Sequence, residues 1–306
     1  MTRPIRRTAL LAFVGATAAA ALVGCAPASG NGAHIVATTN ILGDVVRQIA
    51  GDEAGVTTLM KPNADPHSFE ISAQEAAGLA EADLLVSNGL GLEENVEQHL
   101  ATAAGSGAAR FVAGDHITPL SFSSGVGAGD DPHFWTDPDR MADVVMALGD
   151  EIAGLPGVDV SAIEEHTSAY LEEIDALEAE MTAAFEAIPD DRRALVTNHH
   201  VFGYLADRFG FDTVGAVIPS GTTLASPSAA DLESLATAIE SAGVPAIFAE
   251  SSQPDRLVQV LADEVGIDVA VVELFSESLT EPEGEAPTYL DMMRVNTDRI
   301  AQGLTR

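Results

Sequence analysis

Apolar runs of strand character alternate with helix-spaced segments along this chain, and the series runs through twice. The first series reads as strand 34–39, helix 41–50 stopped by Gly51, strand 56–60, helix 72–82, buried strand 84–87, helix 93–104, strand 111–113 and helix 138–153. The second reads as strand 194–197, helix 201–209 closed by Gly210, strand 213–218, helix 229–242, strand 246–249, helix 255–265, strand 269–274 and a closing helix 288–304. Strand, helix and strand in succession is the grammar of a parallel sheet covered by helices. The chain is therefore expected to form two doubly wound α/β lobes with mainly parallel sheets.

Between the two series lies the longest helical pattern. Ile163, Thr167, Tyr170, Ile174, Leu177, Met181 and Phe185 recur at steps of three and four, Ser161 and Glu164 match a capping box, and Pro189 marks the stop. The resulting rod is about 42 Å long. A coiled-coil dimer is a rival for such a pattern, but one helix joining two complete α/β halves fits its short length better. The expected organisation is a leader over 1–24, a tether over 25–33, a first lobe over 34–160, a linking helix over 161–189 and a second lobe over 190–306. Roughly 280 residues past the leader exceed what a single core usually organises.

The leader carries Arg3, Arg6 and Arg7, then an apolar run from Ala9 to Val23, then Leu22-Val23-Gly24-Cys25. About 15 apolar residues fall short of the roughly 20 needed to span a membrane, and the flanks suit a signal peptide. The last four resemble a bacterial lipobox, whose cysteine is lipidated and becomes the mature N-terminus. Cys25 is the sole cysteine, so the mature protein has no disulfide and no thiolate cluster. Its lipid would hold the protein at the outer face of the cytoplasmic membrane. The formal net charge of −33 repels nucleic acid and favours cations. Diffuse charge does not select an ion, so a site must come from particular side chains.

Histidine is the side chain to follow. His34, His67, His99, His116, His133, His166, His199 and His200 form no close metal motif, so any site must assemble from distant segments. Two contexts repeat: Asp65-Pro66-His67-Ser68-Phe69-Glu70 and Asp131-Pro132-His133-Phe134-Trp135. Proline stiffens both loops, which lowers the entropy lost in fixing a ligand. His199 follows a strand and precedes a helix, the carboxyl-end position where open α/β sheets bind ligands. Glu277 lies just past the last apolar strand. Glu250, at another strand end, is placed to orient a ligating histidine.

With Ala37-Thr38-Thr39-Asn40-Ile41-Leu42-Gly43-Asp44, Asn88-Gly89-Leu90-Gly91-Leu92-Glu93, His199-His200-Val201-Phe202-Gly203-Tyr204, Phe248-Ala249-Glu250-Ser251-Ser252 and Tyr289-Leu290-Asp291-Met292-Met293 in the same order, the chain resembles the zinc and manganese solute-binding lipoproteins of ABC transporters. The resemblance implies His67, His133 and His199 as metal ligands, with the fourth position, usually an aspartate, taken here by Glu277. Each ligand would come from its own strand-end loop, two per lobe. It also implies a rigid backbone helix, a membrane permease as partner and a monomer in solution. Three imidazoles and one carboxylate suit four-coordinate Zn²⁺, and Mn²⁺ is the alternative. The rival functions are a zinc-dependent hydrolase, since three protein ligands plus water is a catalytic arrangement, and a metal-binding surface adhesin.

Overall fold

The computed structural model describes residues 32–122, 129–218, 221–224, 228–251 and 270–306. The leader, Cys25 and the helix expected over 255–265 lie outside the described residues, as does the interior of the loop expected over 121–130.

The first sheet holds β1 (Ala33–Ala37), β2 (Ala54–Thr58), β3 (Leu84–Ser87) and β4 (Ala109–Val112), all parallel, in the order β2-β1-β3-β4. The second holds β5 (Ala194–Thr197), β6 (Asp212–Ala216), β7 (Ala246–Glu250) and β8 (Ala270–Leu274), again all parallel, in the order β6-β5-β7-β8. The two lobes thus repeat one topology, as the doubled alternation predicts. In each, the winding direction reverses between the two middle strands, and ligands bind outside the carboxyl ends at such a reversal.

Parallel sheets covered on both faces need apolar side chains on both. In the first lobe Ile35, Ala37, Leu84 and Val86 point into one core, while Val36 and Leu85 point into another with Leu79, Val96 and Leu100. Around the sheets lie helices α1 (Asn40–Ala50), α2 (Ala73–Gly78), α3 (Glu94–Gly105), α4 (Pro138–Ala153), α5 (Val160–Glu186), α6 (Gly203–Phe209), α7 (Ala229–Ala242) and α8 (Tyr289–Leu304). Most have the expected local signals. The Thr39 hydroxyl caps α1, and Gly51 ends it at φ +53°, where a side chain would also strike the His166 ring. Ser72 and Glu75 form a full capping box on α2. That helix lasts only six residues before tightening into a 3₁₀ turn at Leu79–Glu81, shorter than the sequence pattern indicates.

α5 runs for 27 residues and buries Ile163, Tyr170, Ile174, Leu177, Met181 and Phe185. The Ser161–Glu164 capping box does not form. Asp159 caps the helix instead, its carboxylate accepting from the N–H groups of Ser161 and Ala162 at 3.0 and 3.4 Å, which places Ser161 already inside the first turn. The helix packs against α1, α4 and α8, and its apolar stripe belongs to a core continuous with both sheets.

Candidate metal centre

His67 sits in the loop after β2 and His133 in the long connection after β4, and the same local device shapes both turns. The Asp65 carboxylate accepts the backbone N–H of His67 at 2.8 Å, and the Asp131 carboxylate accepts that of His133 at 2.9 Å. Each Asp-Pro-His is an aspartate turn with proline fixing its middle residue. Asp131 goes further, since its Oδ1 also lies 2.7 Å from His133 Nδ1. A carboxylate at Nδ1 accepts a hydrogen bond from the ring N–H, which keeps the proton on Nδ1 and leaves the Nε2 lone pair facing inward. The Asn88 amide steadies this loop by donating to the Pro132 carbonyl at 3.0 Å. His199 follows β5, with its carbonyl accepting from the Thr197 hydroxyl at 2.6 Å and its Nδ1 3.3 Å from Glu250 Oε2. Glu277 follows β8 by three residues.

These four residues come together. Glu277 Oε1 lies 2.9 Å from His67 Nε2, 3.1 Å from His133 Nε2 and 3.2 Å from His199 Nε2. His67 Nε2 and His133 Nε2 are 3.2 Å apart, and all four ligand atoms lie within 4.8 Å of one another. Donors at about 2.0–2.1 Å from a tetrahedral zinc stand about 3.3 Å from each other, and the four separations of 2.9–3.2 Å are close to that edge length. All four residues are at most 4 % exposed. Three ring nitrogens cannot aim lone pairs at one carboxylate oxygen without either protons or a cation between them, and the donor set therefore fits a bound dication.

The electrostatics express that competition. For His199, burial opposes charge, but the Glu277 and Glu250 carboxylates outweigh it and lift the imidazole well above its ordinary value. For His133 burial is likewise overcome, by Asp131 and Glu277. Burial alone would raise the Glu277 carboxyl, yet His199, His67 and His133 hold it well below the usual range. Glu250 is pushed up to about 7 by burial and by the neighbouring Glu277.

His99 is exposed on α3, and three of the other histidines serve the fold. His34 Nε2 lies 3.0 Å from the Thr57 hydroxyl, His116 stacks on Phe111, and His166 contacts the Ile49 carbonyl at 3.1 Å. His200 lines a separate cavity of about 300 Å³ together with Asp131, Asp207 and Phe202. The Asp131 grip on the His133 ring is not among the sequence expectations. The signal was present in the repeated Asp-Pro-His, but nothing local distinguishes a carboxylate that reaches the ring from one, at Asp65, whose described bonds are to the backbone and to hydroxyls.

The family described as zinc-uptake complex component A, periplasmic, matches residues 35–303. The zinc-binding protein TroA of Treponema pallidum is 32% identical over 92% of this chain and 92% of that protein. Its solved structure superposes with a TM-score of 0.84 at 31% identity, covering 90% of this chain and 100% of that one. The manganese-binding lipoprotein MntA of Halalkalibacterium halodurans is 26% identical over 90% of each chain. A cadmium-bound periplasmic metal-binding protein from Candidatus Liberibacter asiaticus superposes with a TM-score of 0.79 at 26% identity, covering 89% of this chain and 99% of that one.

Proposed function

We propose that this chain, which belongs to the family of periplasmic zinc-uptake components, captures a divalent transition metal outside the cytoplasmic membrane and delivers it to an ABC importer. The observation that carries this reading is the convergence of three Nε2 atoms and one carboxylate oxygen, two residues from each lobe, in a buried cluster, all within 4.8 Å of one another. His67, His133, His199 and Glu277 are the ligands in this reading, and Asp131 and Glu250 orient two of the rings. Zinc is the favoured cargo, because three imidazoles and one carboxylate oxygen at tetrahedral spacing suit it. Manganese is second, since relatives that span most of the chain are named for it, but it generally takes more oxygen than this set offers.

Relatives named as substrate-binding lipoproteins of metal ABC transporters support the rest of the scheme. A lipid on Cys25 would tether the monomer to the outer face of the membrane, within reach of the permease that accepts the ion. The hydrolase reading needs an open coordination position for water and substrate. Glu277 occupies that corner and the burial of all four residues closes it, which favours capture over catalysis.

Elemental analysis of purified protein tests the proposal. The wild type should retain close to one equivalent of zinc after exposure to a mixture of zinc, manganese and iron salts, and His199→Ala should lose it. Equal metal content in both proteins, or zinc-dependent peptide or ester hydrolysis by the wild type, would overturn it.

A further inference from the structure

Each lobe's ligand loop is gripped by a side chain of the opposite lobe. Trp135, two residues past His133 in the first lobe, donates its indole N–H at 2.8 Å to the carbonyl of Ser276, the residue before Glu277. Tyr204, on α6 in the second lobe, donates its hydroxyl at 2.6 Å to the carbonyl of Asp131, the residue that holds the His133 ring. The Tyr204 oxygen also accepts the Leu120 N–H at 3.0 Å, and the Arg140 guanidinium lies 4.7 Å above its ring. A second cross-lobe bond secures the first clamp, as Tyr289 on α8 donates to the Trp135 carbonyl at 2.9 Å. Trp135, Tyr204 and Tyr289 are at most 2% exposed.

These bonds are placed where they matter for geometry. A hydrogen bond to a carbonyl fixes the rotation of its peptide plane; the Ser276 plane adjoins Glu277, and the Asp131 plane sits at the base of the carboxylate that holds the His133 ring and backbone N–H. Metal–ligand bonds tolerate errors of only about 0.2 Å, so a small peptide rotation is felt at the ion. Trp135 also meets the His133 ring edge-on, with centroids 5.3 Å apart, and so touches one ligand while holding the backbone of another.

We propose that Trp135 and Tyr204 are positioning residues for the metal site, each fixing across the cleft the backbone beside a ligand on the other lobe. The ligand geometry is then a property of the pair of lobes and not of either lobe alone. The inference rests on His67, His133, His199 and Glu277 being the metal site.

Trp135→Phe and Tyr204→Phe each remove one hydrogen-bond donor while keeping an aromatic ring in place. Zinc affinity, measured by chelator competition, is expected to fall roughly tenfold in each, the scale seen when an outer partner of a ligand is lost. The penalty of Trp135→Phe should vanish in a Glu277→Ala background and that of Tyr204→Phe in a His133→Ala background, while both persist in His67→Ala. Cobalt-loaded protein supplies a second readout free of weak-binding variants, because the visible spectrum of Co²⁺ reports ligand geometry, and both substitutions should shift it. Unchanged cobalt spectra, or penalties that persist after the served ligand is removed, would overturn the inference and reduce both residues to packing. A wild type that binds neither zinc nor cobalt would overturn the metal-site reading itself.

Discussion

At the scale of single residues, the site is a contest between protons and a cation for the same lone pairs. In the metal-free protein His133 and His199 hold protons more tightly than they would in an unfolded chain, whose histidines titrate near about 6.5. Their contribution to stability is fully present below that pH and is lost as pH rises through their higher folded values. Glu277 contributes in the opposite sense, with stability present above an unfolded value of about 4.3 and lost as pH falls towards its depressed folded value. The metal-free site should therefore be most stabilising between roughly pH 4.3 and 6.5. Acidic self-repulsion across the molecule has a similar trend, so the diagnostic quantity is the melting temperature of the wild type minus that of His199→Asn, which should shrink from pH 6 to pH 9. Zinc affinity should move the other way, weakening as pH falls and beginning to do so above 6.5. A zinc affinity flat between pH 6 and 8 would contradict the three-histidine site. Asp131→Ala removes the carboxylate at His133 Nδ1 and is expected to weaken zinc binding by roughly 10- to 100-fold with the far-ultraviolet circular dichroism unchanged.

At the scale of elements, strands and helices were legible because their signals are local. β3, β5, α4 and α7 fall where the periodicity and end signals put them, since Leu84–Ser87 is apolar throughout, Asp137-Pro138 opens α4 and Gly243 closes α7. The start of α5 departs from the Ser161–Glu164 expectation because two capping sequences overlap there, and Asp159 wins by reaching two N–H groups from just outside the helix. The histidines of the Asp-Pro-His turns could be singled out from context, but their convergence could not, because it depends on how two sheets face one another. Two substitutions probe these elements. Leu177 is fully buried at the middle of α5, and Leu177→Ala should cost about 2–5 kcal/mol of stability, read by urea unfolding. At the start of α6, a methyl group on Gly203 would stand 2.6 Å from Asp131 Oδ2. Gly203→Ala should therefore weaken zinc binding even though alanine favours the helix, and an unchanged affinity would show that Asp131 can yield without moving His133.

At the scale of the whole molecule, the α/β topology used twice makes the site a bridge. The connections after β2 and β4 of one lobe carry His67 and His133, those after β5 and β8 of the other carry His199 and Glu277, and α5 runs through a core common to both. Bonds around the cleft add to the tie, among them Asn40 to Ser278 at 2.8 Å and Thr223 to Asp65 at 2.7 Å. A net charge of −33 attracts dications from a distance, while in the proposed reading selection is left to the four buried donors. An ion held by both lobes must stabilise them as one unit, by about 4 kcal/mol when free metal exceeds the dissociation constant a thousandfold. The most direct measurement is the zinc K-edge absorption spectrum of the loaded protein. It should show four light ligands at about 2.0–2.1 Å, three with the outer scattering of imidazole. A shell of five or six oxygens, or fewer than three imidazoles, would contradict the assignment of His67, His133, His199 and Glu277 as the cage.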